Sequence, residues 1–150
     1  GGQGNAINTG TNATIVGGTG NIAQGNFSTV LGGSGNQANS DNSLAGGSNL
    51  IVNGVGTIAL GNRGAATTIT QSDAIILLPQ GNVGVGTVSP THKLDVSGAV
   101  KLRPLATAPS CANSNDNGVL FNSINNGLCY CSQGSTWVNL LQAAGVGSCP

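Results

Sequence analysis

The chain has 150 residues, of which 26 are Gly and 19 are Asn, with one Trp, one Tyr, two Phe and no Met. Only 5% of residues are charged and the net charge is zero, against about a quarter charged and about 7% Gly in an ordinary soluble domain. Such a chain lacks the high net charge or low hydrophobicity of disorder and the Lys and Arg that neutralise nucleic-acid phosphates. No apolar run approaches the roughly 18 residues of a membrane span; the longest is Ala74 to Leu78. Gly1-Gly2-Gln3-Gly4 offers neither the basic nor the apolar region of a signal peptide, so the chain reads as starting at the edge of a repeat in a longer fibre.

A repeat dominates the first part. Thr14-Ile15-Val16-Gly17-Gly18, Thr29-Val30-Leu31-Gly32-Gly33, Ser43-Leu44-Ala45-Gly46-Gly47 and Thr57-Ile58-Ala59-Leu60-Gly61 share one form, and their last glycines fall 15, 14 and 14 residues apart. Asn21, Asn36 and Asn49 each follow a few residues later. A unit this short cannot hold its own core, so coils must stack strand on strand, with small side chains filling a narrow interior. Glycine serves corners of positive φ or close backbone approach, and Asn tolerates the same conformation. From Gly1 to Thr68 the only charges are Asp41 and Arg63, which predicts that part of this surface is covered by another chain.

These rungs resemble the head repeats of trimeric autotransporter adhesins of the YadA type, over residues 1–64. The resemblance implies a left-handed parallel β-roll in which three chains make one head. The chain departs from that family in lacking the alternating strands of about 10 residues needed for a membrane-anchoring β-barrel. Any anchor is therefore expected upstream of Gly1 or in another protein.

Gly64 to Pro79 breaks the period, and Ala74 to Leu78 reads as a strand buried on both faces or at a trimer seam. Next come Gly81-Asn82-Val83-Gly84-Val85-Gly86-Thr87-Val88-Ser89-Pro90 and Lys93-Leu94-Asp95-Val96-Ser97-Gly98. They resemble a GNVGIGT-x-SP-x-x-KLDV signature of phage tail fibres and bacterial fibre proteins. Leu94, Val96, Val100 and Leu102 are expected to face a three-fold axis.

Pro104 and Pro109 mark a linker, after which Gly118–Asn122, Gly127–Cys131 and Thr136–Leu140 read as three short strands joined by turns. The whole is similar to the mosaic adhesive trimers of predatory bacteria, with an outward-pointing tip. The expected organisation is β-roll head repeats over 1–64, a neck or shaft over 65–103 and a C-terminal β tip over 104–150.

Four cysteines, Cys111, Cys129, Cys131 and Cys149, in so small an exported domain predict two disulfides rather than zinc, because Cys-x-Cys lacks the usual ligand spacing. Cys129 and Cys131 face one side of a strand and are expected to take different partners, within the chain or across a seam.

Catalysis finds no support. His92 is the only His, and the acids Asp41, Asp73, Asp95 and Asp116 are spread over separate segments, so neither a Ser-His-Asp set nor a glycosidase pair assembles. No metal or cofactor signature appears. The candidate ligand residues lie in the tip: Tyr130 and Trp137 for stacking, with Asn115, Asp116, Asn125 and Asn126 as polar partners. Trp137 is weighed towards the core and Tyr130 towards the surface. An ice- or mineral-binding face would need an outward Thr ladder, and Thr14, Thr29, Ser43 and Thr57 are expected to face in. The sequence thus predicts an all-β, elongated homotrimeric fibre on the bacterial surface, a non-enzyme without cofactor. Its tip would recognise a glycan or protein of another cell. The alternative is a structural fibre cap or phage-type tail fibre without a ligand. Three per cent aromatic residues cannot supply a large core in one chain, which favours a shared one.

Overall fold

The computed structural model describes residues 1–112, 118–123, 127–132 and 136–140. The chain divides into two compact units, Gly1–Ser97 and Gly98–Pro150. Among the described residues all regular structure is β.

In the first unit β1 (Ala6–Ile7), β2 (Thr14–Ile15), β3 (Ile22–Ala23), β4 (Thr29–Ser34), β5 (Gln37–Ala38), β6 (Leu44–Val52), β7 (Ile58–Ile69) and β8 (Ile75–Leu78) wind into a parallel β-solenoid. One ladder runs β2, β4, β6, β7, β8 and the other β1, β3, β5, β6, β7; the long strands β6 and β7 belong to both. Two inward columns make the core. Ile15, Val30, Ala45, Ala59 and Ile76 come from the first ladder, and Ala23, Ala38, Val52 and Ile69 from the second, whose first coil leaves Ile7 exposed. The middle members of each column are completely buried, and most are Ala or Val because a coil of this size leaves no room for more.

Steric stacking fixes the glycine repeat. A Cβ added to Gly2, Gly18, Gly33 or Gly47 would overlap the carbonyl oxygen of Gly18, Gly33, Gly47 or Gly61 respectively, one coil further on. The same glycines adopt φ of +93° at Gly18, +94° at Gly33 and +123° at Gly47, which a side chain rarely tolerates.

Beside them runs a buried asparagine ladder. Asn5, Asn21 and Asn36 each accept, on the side-chain oxygen, the backbone N–H of Asn21, Asn36 and Leu50 in the next coil. Their amides donate to the carbonyls of Gly18, Gly33 and Gly47. Asn49 is not part of this ladder, contrary to its alignment with Asn21 and Asn36. It takes the corner position of Gly20 and Gly35, with φ of +56° against their +64° and +65°, and donates to the Arg63 carbonyl at 2.8 Å. The buried position falls to Leu50.

The break expected from Gly64 proves to be a longer coil, and the solenoid continues through Leu78. Leu50 pairs with Thr67 and Ile58 with Ile75, so the repeat grows from 14 residues to 17. The extra residues form a bulge at Arg63–Ala66, where β7 advances five residues while β6 advances two. β8 is not buried on both faces in the single chain: Ile76 and Leu78 pack on the core, whereas Ile75 and Leu77 are exposed.

After the solenoid, β9 (Val83–Val85) pairs in parallel with β10 (Leu94–Val96). The polar residues of this segment bond one another. Asp95 Oδ2 accepts from Thr91 N at 2.8 Å and Thr91 Oγ1 at 3.0 Å, Asn82 Nδ2 donates to Pro90 O at 2.8 Å, and Lys93 Nζ donates to Gly81 O at 3.0 Å. Val85 and Leu94 remain exposed.

In the second unit β11 (Pro104–Leu105) lies parallel to β12 (Leu120–Ser123), which continues antiparallel through β13 (Gly127–Ser132) and β14 (Thr136–Asn139). The last three are the strands read from the sequence.

Candidate functional site

Strand alternation sorts the second unit's side chains. Cys129 and Cys131 lie on one face of β13 and are fully buried, together with the nearly buried Ser123 and Asn139. Cys131 is bonded to Cys111, 20 residues earlier, which ties the segment after Pro109 to the central strand. Cys129 is also disulfide-bonded. Cys149 lies outside the described residues. The bond to Cys111 is within the chain, one of the two arrangements left open by the sequence.

Trp137 stands opposite Cys131 in the register and so shares the sulfur-bearing face, where it is half-buried. Tyr130 points the other way. It sits between Leu120 and Val138 on the neighbouring strands and is also half-buried. The sheet places Tyr130 and Trp137 on opposite faces, so a ligand on one face can stack on only one of them. Asn115, Asp116, Asn125 and Asn126 lie outside the described residues.

On the Tyr130 side the unit carries an open groove of about 570 Å³ lined by Val100, Lys101, Leu102, Pro104, Asn122 and Leu128, with Gly127 at its edge. Asn122 Nδ2 donates to the Leu102 carbonyl at 2.9 Å, which fixes the wall next to Pro104. The groove is apolar apart from that amide and the Lys101 side chain.

His92 shares a hydrogen bond of 2.9 Å with Thr91 Oγ1, which also donates to Asp95. Thr91 and His92 are exposed and Asp95 is half-buried, and both Asp95 contacts hold the Thr91 turn. No group of three or more His, Cys, Asp or Glu side chains among the described residues could hold a metal ion. No helix among them is long and apolar enough to cross a membrane.

Two features of the solenoid surface escaped the sequence reading. Val16, Leu31, Leu60 and Leu77 are 61%, 49%, 36% and 49% exposed and line up along the outside of one ladder. Gly46 fills the fifth place in that row, where a Cβ would meet Leu60 at 3.0 Å and Leu31 at 3.4 Å. The second feature is Phe27, which is 60% exposed at a corner with φ of +54°. The signal for it was present: Phe27 falls where neighbouring coils carry Asn12, Asn42, Gly56 and Asp73, all with positive φ.

No protein-family model, curated protein or solved structure matches this chain.

Proposed function

We propose that the chain forms part of a homotrimeric fibrous adhesin on a bacterial surface, its solenoid a left-handed β-roll and its C-terminal unit recognising a glycan or protein of another cell. The observation that supports this best is the outward row Val16, Leu31, Leu60 and Leu77, extended by the exposed Ile75 and by an open groove of about 290 Å³ between Leu60, Leu77, Pro79 and Val83. Aliphatic side chains in register along a fibre axis are costly in water, and a neighbouring copy of the same solenoid presents a surface of matching repeat. Three copies of a weak site would raise avidity by roughly 10² on a multivalent target.

Light scattering of the intact protein tests the assembly: a mass of three chains is expected, and Leu77→Asp, which adds a charge to an already exposed position, should reduce it to one. A monomeric wild-type chain would overturn the trimer. A glycan array probed with the wild type and with Tyr130→Ala tests the recognition role, with loss of signal in the variant as the expected result.

A second reading is favoured by the placement of Tyr130 and Trp137 on opposite faces of one sheet. With no paired aromatic platform, the C-terminal unit would be a structural cap of the fibre. Array binding unchanged by Tyr130→Ala would favour that reading.

A further inference from the structure

Phe27 is the one aromatic residue between Gly1 and Ser97. It occupies a corner where every coil needs a left-handed residue, and the others meet that need with Asn12, Asn42, Gly56 and Asp73. Asn, Asp and Gly accept this conformation readily; a bulky aromatic is an outlier there. The corner is held without the ring, through the Phe27 N–H donating to the Thr11 carbonyl at 2.8 Å. The Asn42 N–H does the same to Asn26 at 2.9 Å and the Gly56 N–H to Asp41 at 3.0 Å. The ring is 60% exposed, so burial does not offset its strain. Backbone strain kept at an exposed side chain points to a role outside the fold.

The surroundings select the kind of partner. Asn12 lies one coil below and Asn42 one coil above, at the roughly 4.8 Å spacing of stacked strands. Asn26, the residue before Phe27, is tied to its neighbours: its side-chain oxygen accepts Thr11 N at 3.0 Å, and its backbone N–H donates to Asp41 Oδ1 at 2.8 Å. Asp41 Oδ2 accepts the Asn26 amide at 3.4 Å. An apolar protein surface would find amides and a carboxylate around this ring in place of aliphatic neighbours. A pyranose fits better: its C–H face packs on the electron-rich face of an aromatic ring, and its hydroxyls exchange hydrogen bonds with amides that both donate and accept.

We infer that Phe27, flanked by Asn12 and Asn42, is a carbohydrate-stacking site on the flank of the solenoid. It lies in the first unit and does not depend on any ligand of the C-terminal unit.

The test is a glycan array probed with the full-length wild type, Phe27→Asn and Tyr130→Ala, with thermal melts of all three. Phe27→Asn restores the residue used by adjacent coils, so the melting temperature should rise by roughly 2 to 5 °C while the pyranose signal falls by about tenfold. That combination rules out unfolding as the cause of lost binding. A Phe27→Asn protein that binds as the wild type does would overturn the inference, as would one that melts lower, because the ring would then be part of the packing. A wild type that binds no glycan also overturns it. Loss in Tyr130→Ala alone would support the C-terminal site and sink this one; loss in Phe27→Asn alone would do the reverse.

Discussion

The side-chain oxygen of Asn21 accepts the backbone N–H of Asn36, 15 residues later, at 3.0 Å in the buried interior. Asn36 repeats the bond towards Leu50 at 3.1 Å and donates its amide to the carbonyls of Gly32 at 3.0 Å and Gly47 at 2.7 Å. One side chain thus bonds three backbone groups, one N–H and two carbonyls. Asn36→Leu is close enough in volume to fit but removes all three bonds from a buried site, where a lost partner costs about 1–3 kcal/mol. The variant should lose several kcal/mol in chemical denaturation. A loss below about 1 kcal/mol would mean that water replaces the ladder.

The glycine corners give a contrast. Gly33→Ala drives a methyl group into the backbone carbonyl of Gly47, where no side chain can yield. A destabilisation above about 4 kcal/mol, enough to prevent folding of the solenoid, is expected. Gly81→Ala meets no atom within 4 Å and should change the unfolding midpoint by no more than about 0.5 kcal/mol. Circular dichroism melts of the pair settle it.

Ser28 and Thr57 share a buried column but differ in satisfaction. Thr57 Oγ1 donates to the Gln71 carbonyl at 2.6 Å, whereas the buried Ser28 Oγ has no hydrogen-bond partner among the described residues. Ser28→Ala should leave stability unchanged or raise it by about 1 kcal/mol, and Thr57→Val should lower it by about 1–3 kcal/mol. Equal effects in denaturant titrations would show that the two hydroxyls are equivalent.

The Cys111–Cys131 bond closes a loop whose constraint is worth about 3 kcal/mol by chain entropy. Reduction should raise amide exchange in β12, β13 and β14 while the amides of β4, β6 and β7 keep their protection. Uniform exchange rates before and after reduction would show that the sheet stands without the bond.

Leu94 offers a direct probe of assembly. It is 64% exposed in the single chain, so Leu94→Asp leaves the fold intact, while three copies near one axis would repel one another. The mass by light scattering should drop from three chains to one; an unchanged trimer would place Leu94 away from any shared axis. Val96 is half-buried against its own unit and is the poorer choice, since a charge there also disturbs the chain itself.

The β-solenoid was legible because its glycine spacing has a steric cause, visible as Gly18, Gly33, Gly47 and Gly61. What misled was alignment on those glycines alone. A bulge between Val30 and Gly32 adds Leu31 to its coil, so Thr29 pairs with Leu44 and not with Ser43. Ser43 and Thr57 face in as expected, but Thr14 is exposed and Thr29 half-buried, in an outward column continued by Leu44, Ile58 and Ile75. Aliphatic residues interrupt any Thr ladder there. Asn49 was misplaced for a similar reason: Asn serves both as a buried hydrogen-bonding residue and as a left-handed corner, and composition does not separate the two. In the C-terminal unit the strands were readable from β-branched and aromatic runs. That Tyr130 points away from the cysteines follows from strand alternation, whereas the pairing of Trp137 with Cys131 depends on hairpin register, which those runs do not specify.

The asparagine ladder also acts as a gauge of circumference. Where it operates the coils hold 14 to 16 residues; where Leu50 ends it, the next coil takes 17 and swells at Arg63, Gly64, Ala65 and Ala66. Foreign peptide inserted after Gly64 or Ala65 should therefore be carried as a surface loop, while the same insertion beside Asn21 or Asn36 would break the bonds that set the coil length. The solenoid has a built-in display port, one coil wide.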